Sequence, residues 1–180
     1  MLSKTLKNFL DKNKIKYELI EHRTVYTALD KAATLKVKPT MIGKTVIVCL
    51  DKKDCFIGLI PANKNLDKKK TLKIINNSPS ALSYFKRGVG GVKIKQRRYS
   101  HADFATEKWM KANIKGVKLG ATPPFGLLYK LPFFIDNSLI KQSKIILTGG
   151  EYELSFKLSP ASLIKIDTNT IKGSFSMAKK

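Results

Sequence analysis

The apolar positions along this chain switch between a helical and a strand spacing, and the switches lay out a mixed order of elements. Leu2, Leu6, Phe9 and Leu10 fall on one side of a helix of about three turns, with Ser3 placed to cap it and lysines on the wet side. Residues 15–20 then alternate as a half-buried strand, and Thr27 is placed to cap a short helix over 28–35. Residues 45–50 are β-branched or apolar at nearly every position, which predicts an inner strand covered on both faces. A polar connection, Asp51-Lys52-Lys53-Asp54, leads into 55–60, the returning arm of a hairpin stopped by Pro61.

Further along, a helix is expected from Asp67 to about Ile75, broken at Asn76-Asn77-Ser78-Pro79-Ser80 and followed by a second helical piece over 81–86. The cluster Gly88-Val89-Gly90-Gly91 lacks a dinucleotide fingerprint and reads as a flexible loop. An amphipathic stretch surrounds Phe104, Trp109 and Met110; core packing is the expected fate of Trp109, while an exposed Tyr99 could stack on a base. Strands are expected over 131–136, 144–150 and 152–158, then a short helix with Pro160 at its first position. From Asp167 the polar letters suggest a frayed tail, which leaves one domain over 1–166. No internal repeat is visible.

Composition narrows the class of partner. The 180 residues carry a net charge of +22, and such a field attracts polyanions at long range. The charge is clustered: between Asp67 and Asp103 no acidic residue occurs, while Lys68, Lys69, Lys70, Arg87, Arg97 and Arg98 all fall there. An RNA backbone is therefore the expected partner, ahead of an anionic membrane surface, for which the segment lacks an amphipathic stripe. With four arginines among 35 basic residues, the chain does not resemble a dedicated reader of base edges. No apolar run approaches the roughly 20 residues of a membrane span and no basic-then-apolar leader is evident, so a soluble cytoplasmic protein is expected. If Leu50 and Cys55 flank the hairpin loop, Cys49 and Cys55 project to opposite faces, and both are expected as reduced, packed thiols. His22 reads as a hydrogen-bonded structural residue, and no Cys-x-x-Cys or His-x-x-x-His spacing suggests a metal. No cofactor is expected.

Two stretches carry chemical meaning. Lys44 stands at the mouth of the apolar strand, on the side of Val46, Val48 and Leu50, where a partly desolvated ammonium can serve an anionic or carbonyl group. Gly43-Lys44-Thr45 is not the end of a P-loop: Lys38 occupies the place of the earlier glycine, and a strand rather than a helix follows. The second stretch is 116–128, where Pro123 and Pro124 fix their own φ while Gly120 and Gly126 let backbone approach a ligand. Such a stiff loop can turn free N–H groups toward a developing oxyanion, or be an ordinary rigid turn.

Gly43-Lys44-Thr45-Val46, Ile60-Pro61-Ala62-Asn63, Gly120 with Pro124-Phe125-Gly126, Leu131-Pro132 with Asp136, and Thr148-Gly149-Gly150 with Leu158-Ser159-Pro160-Ala161 occur in an order that resembles the YbaK/ProX family of aminoacyl-tRNA deacylases. That family includes the editing domain of bacterial prolyl-tRNA synthetases. The resemblance runs from Leu2 to Ile166. It implies an α+β fold with a mixed sheet curled into a barrel-like core and helices outside. It also implies hydrolysis of a mischarged small amino acid, of Cys or Ala type, from the 3′ end of tRNA, with tRNA(Pro) and prolyl-tRNA synthetase as candidate partners. Lys44 matches the family's functional lysine, and Gly120 with Pro124 its glycine-x-x-x-proline loop. On this resemblance Lys44, Gly120 and Ala121 are catalytic, and Tyr26, Thr122, Pro124, Phe125, Gly126, Thr148, Gly149 and Ser155 bind substrate. Ser155 stands where some members carry an aspartate, and the region around 72–95 is longer than usual, suggesting an extra tRNA-facing surface.

Hydrolysis of an ester needs stabilised charge on the carbonyl oxygen, and one fixed donor is worth about 3 kcal/mol. The expected mechanism has N–H groups of 120–126 polarising the carbonyl while Lys44 holds the aminoacyl-ribose end. Water or a neighbouring substrate group would attack, since no Gly-x-Ser-x-Gly elbow or Ser/His/Asp set is visible. A non-catalytic RNA-binding module keeps the same charge and fold without a special Lys44. A small-ligand or peptide hydrolase would leave the basic field without a purpose.

Overall fold

The computed structural model describes residues 3–86 and 98–179. α1 (Lys4–Lys12) starts at Ser3, whose side chain accepts the Leu6 N–H, and it buries Leu6 and Leu10. β1 (Glu18–Glu21) is mostly exposed, and α2 (Ala28–Thr34) is capped by Thr27, which accepts the Asp30 N–H. A 3-10 turn at Pro39–Met41 leads into β2 (Gly43–Leu50), which returns as β3 (Asp54–Pro61). β4 (Lys64–Leu66), α3 (Lys68–Asn77) and α4 (Pro79–Lys86) follow. Then come β5 (Ala102–Phe104), α5 (Glu107–Asn113), α6 (Gly126–Tyr129), β6 (Phe133–Asp136) and α7 (Asn137–Ile140). The chain ends with β7 (Ile145–Thr148), β8 (Leu154–Leu158), α8 (Pro160–Ile166), β9 (Ile171–Gly173) and β10 (Ser176–Ala178).

Strand alternation explains how one sheet comes to be covered on both sides. The order β5-β2-β3-β6-β9 is antiparallel through β3 and parallel from β3 to β9. Ile47, Ile57, Leu59, Phe133 and Ile135 face one core, which α1 closes with Leu6 and Leu10. Val48, Leu50, Phe56, Ile60 and Phe134 face the other, closed by Ile75 of α3 and Ala81 of α4. β2 is thus an inner strand, as its letters predict. Trp109 is half-buried against the first core.

Four expectations are corrected. The strands divide among three open sheets, with β1-β8-β7 antiparallel and β10 paired with β4, so the architecture is mixed α/β without a barrel. β7 is paired along its whole length with β8, and its other edge meets the main sheet at the parallel bridge between Ile42 and Ile146. Second, the hairpin turn is one residue shorter than expected. Leu50 faces Asp54, with positive φ at Asp51 and Lys52, so Cys49 pairs with Cys55 and the two form a disulfide. The thiol argument for a reducing compartment falls with it. Third, Tyr99 is buried, with its hydroxyl donating to Asp54 at 2.8 Å, and offers no ring to a base.

Fourth, the tail after Asp167 is structured. Its polar letters conceal two apolar anchors, Ile171 on β9 and the buried Phe175. Asp136, 2% exposed, accepts the N–H groups of both Phe175 and Ser176 at 3.0 Å, and the N–H and hydroxyl of Ser138 besides. Burial would raise this carboxyl's pKa, but the hydrogen bonds from Ser138, Ser176 and Phe175 outweigh it and hold it below the usual range. β10 then pairs with β4 and carries Lys179 back to the body of the protein. The Gly88–Gly91 cluster lies outside the described residues. Among the described residues no helix is long and apolar enough to cross a membrane, and no group of three His, Cys, Asp or Glu is arranged to hold a metal ion.

Candidate active site

A cavity of about 430 Å³ opens between the start of β2, the N-terminal end of α2 and the bend at Gly120. Lys44 enters it from β2. Its Nζ donates to the Lys64 carbonyl on β4 at 2.8 Å, which fixes the ammonium and leaves two of its three N–H groups for other acceptors. Burial, and then the positive charge of Lys179, push the Lys44 pKa down. An ammonium in this state is less hydrated than a surface lysine and is held in place before any ligand arrives.

The opposite wall is the bend at Gly120 and Ala121. Gly120 has φ +81°, in the left-handed region that favours glycine, and nothing lies within 4 Å of where a Cβ would stand. The bend is pinned from both sides: Ala121 N–H donates to Lys118 O at 2.9 Å, Thr148 Oγ1 to Ala121 O at 3.3 Å and Tyr152 Oη to Leu119 O at 2.9 Å. Ala121 therefore has no free N–H to offer. Phe125 N–H is also spent, on Pro123 O at 2.9 Å, and the two prolines have none. Among the described residues no acceptor meets the N–H of Gly120, and of the three free donors in the loop, Gly120, Thr122 and Gly126, only Gly120 lines this cavity.

Of the residues named from the sequence, Lys44, Gly120, Ala121, Tyr26 and Thr148 line this cavity. Tyr26 is 72% exposed, with its ring edge-on to Tyr152 at 4.9 Å, and presents an aromatic surface at the rim. The other substrate-binding candidates are placed elsewhere. Thr122 is buried and lines a neighbouring cleft with Met110 and Ile114. Pro124 is buried, and Phe125 belongs to the core, stacked on Phe156 at 5.7 Å. Gly126 starts α6 so close to the Leu131 carbonyl that a Cβ would collide with it. Gly149 shapes the β7–β8 turn, its N–H donating to Leu154 O at 2.9 Å. Ser155 is fully buried and shares a 2.8 Å hydrogen bond with His22 Nε2, which accounts for both residues structurally.

The basic candidates do not join the cavity. Lys68 is paired with Asp103 at 2.6 Å and lies over the Phe104 ring, at the Cys49 end of β2. Five residues of strand separate that point from Lys44, about 17 Å. Lys70 lies 3.7 Å from Asp67, Lys69 and Arg98 are exposed, and Arg87 and Arg97 fall outside the described residues.

Two lysines that the sequence reading passed over do line the cavity, Lys31 and Lys179. Lys31 had a signal. With Ala28, Ala32 and Leu35 marking the apolar side of α2, position 31 falls at i+3 on that same side. It is 8% exposed, and desolvation lowers its pKa to about 8. Lys179 gave no signal, since its place depends on the pairing of β10 with β4.

Comparison with known proteins adds a family match over part of the chain. Residues 93–166 match the family model described as the aminoacyl-tRNA editing domain, a span that holds the Gly120 bend and the β7–β8 turn but neither Lys31 nor Lys44. No curated protein matches the chain. Among solved structures, the hypothetical protein APE2540 is similar over 97% of this chain and 100% of its own, with a TM-score of 0.76 at 17% identity. A candidate trans-editing enzyme for prolyl tRNA synthetase is similar over 99% of this chain and 100% of its own, with a TM-score of 0.70 at 17% identity. A Marinobacter aquaeolei VT8 protein, described as a candidate signal transduction protein, shares the fold over 98% of this chain and 31% of its own, at a TM-score of 0.67 and 12% identity. The family match bears out the resemblance to editing proteins over 93–166, and the solved structures share the fold.

Proposed function

We propose that the protein is an aminoacyl-tRNA deacylase that acts in trans, hydrolysing the ester between a mischarged amino acid and the 3′ end of tRNA. The observation that carries this reading is the meeting of the Lys44 ammonium and the free Gly120 N–H on one cavity. The family match over 93–166 supports the reaction class.

In the proposed reaction a water oxygen adds to the ester carbonyl carbon, and the carbonyl oxygen takes up the negative charge. Gly120 N–H, held by a bend with its other bonds already made, stabilises that oxyanion; a donor of this kind is worth about 3 kcal/mol. Lys44 holds the ribose end and lowers the energy of charge developing on the leaving oxygen. The tetrahedral species collapses with cleavage of the acyl carbon–ribose oxygen bond. The ribose oxygen regains a proton and the amino acid leaves as a carboxylate. Water's proton passes to solvent or to a neighbouring ribose hydroxyl. Tyr26 at the rim offers a ring on which the terminal base can stack. The resemblance supports tRNA(Pro) as the tRNA class and a prolyl-tRNA synthetase as the candidate partner; the small Cys- or Ala-type acyl group it also implies is not the class that three lysines on one cavity favour.

The test is a panel of mischarged tRNAs incubated with the protein and followed for release of free amino acid. The proposal expects release from at least one member at a rate well above spontaneous hydrolysis. Retention of tRNA on the protein with every ester intact would instead indicate an RNA-binding module of the same fold.

A further inference from the structure

The cavity holds more positive charge than ester hydrolysis requires. Lys31, Lys44 and Lys179 line it, and the one carboxylate on its wall, Glu151, is already 3.0 Å from Lys118. Lys44 is accounted for by its bond to Lys64 O, and Lys179 is exposed. Lys31 is neither. It is more than nine-tenths buried as a residue, its Nζ opens on the cavity, and among the described residues no carboxylate or carbonyl pairs with it. Nothing but loss of water perturbs its ionisation. An ammonium that has lost much of its water and gained no protein partner is unfavourable, and it is relieved by an anionic ligand that brings its own charge into the cavity.

The substrate's own charge points the same way. An aminoacyl ester carries an α-ammonium, so with a neutral side chain it brings a further positive charge to three lysines. An acidic side chain cancels that charge and supplies the missing acceptor. A tRNA phosphate is the other source of anionic oxygens, but an exposed cation such as Lys179 suits a solvated phosphate, whereas Lys31 is more than nine-tenths buried. Resting on the deacylase reading above, we infer that Lys31 determines acyl specificity: its ammonium receives the side-chain carboxylate of an acidic aminoacyl group, so aspartyl- or glutamyl-type esters are preferred over their neutral isosteres.

The experiment uses the full-length protein and one tRNA charged in turn with aspartate, asparagine and alanine. Aspartate and asparagine match in size and differ in charge. Because a charge-assisted hydrogen bond exceeds a neutral one by about one power of ten in an equilibrium constant, wild-type kcat/KM is expected to be about 10-fold higher for the aspartyl ester than for the other two. Lys31→Met should level the aspartyl and asparaginyl rates, and Lys31→Arg should keep their order. Equal wild-type rates for aspartyl and asparaginyl esters, or a preference for alanyl, would overturn the inference and leave the deacylase reading standing. So would a Lys31→Met loss that is the same for both esters, which would assign Lys31 to a phosphate. No hydrolysis of any ester would overturn the deacylase reading and this inference with it. The wild-type comparison decides the matter even if a variant fails to fold.

Discussion

Replacing Lys31 by methionine should make the protein more stable, and the size of the gain can be worked from the site. The ordinary lysine pKa of 10.5 falls to about 8 here because burial disfavours the ammonium. That difference, at 1.36 kcal/mol per pKa unit, puts the cost of holding the charged form at pH 7 at about 3 kcal/mol. Methionine keeps the length of the stem and carries no charge to desolvate. The sign also fixes the pH dependence. Between about pH 8 and 10.5 the unfolded chain retains the Lys31 proton that the folded protein has shed, so wild-type stability rises with pH across that window. The variant lacks this contribution, and its advantage should shrink from about 3 kcal/mol at pH 7 toward zero near pH 10.5. Lys44, Lys179, Glu151, Tyr26 and Tyr152 also face the cavity but are common to both proteins, so the difference isolates Lys31. Urea unfolding of both at pH 7 and pH 10, without reductant, measures it. A variant less stable than wild type at pH 7, or a difference that does not change with pH, would refute the reasoning.

Other consequences can be checked independently. Asp136→Ala leaves the N–H groups of Phe175 and Ser176 without their buried acceptor and should cost about 3 kcal/mol in urea unfolding, with early proteolysis after residue 170. Because hydrogen bonds hold the Asp136 carboxyl below its ordinary range, its contribution should persist through mild acid and disappear only as pH falls through that lowered value. Replacing both Cys49 and Cys55 by serine removes a short loop closure and should lower stability by about 2 kcal/mol, read as a shift in the urea midpoint at constant slope. If the basic segment around Lys69 and Arg98 grips tRNA phosphates, the logarithm of affinity should fall steeply and linearly with the logarithm of salt concentration. A flat response would remove that segment from the interface.

Local patterns were readable where local physics decides. Ser3 and Thr27 cap the helices expected of them, and the apolar run of β2 became an inner strand because both of its faces had to be covered. Lys44 and Gly120, both named from the sequence, line one cavity. What the letters hid was set by register and by distant partners. One residue fewer in the 51–53 turn converted two thiols into a disulfide. The polar segment after Asp167 is ordered by a carboxylate some 40 residues earlier, a link with no local signature. Ala121 and Phe125 were counted as donors to substrate, yet the bend spends both N–H groups on itself. Conversely Lys31 was legible in helical spacing and was missed because a lysine among 35 basic residues invites the reading of a solvated face.

In the proposed reaction Lys44 acts on the ester and does more than attract RNA. Single-turnover release of amino acid from a mischarged tRNA by Lys44→Ala, compared with wild type, tests it most directly. The variant's rate should be lower by about 100-fold or more, with tRNA affinity changed by less than about 10-fold. A Lys44→Ala protein that releases the amino acid at the wild-type rate would contradict it.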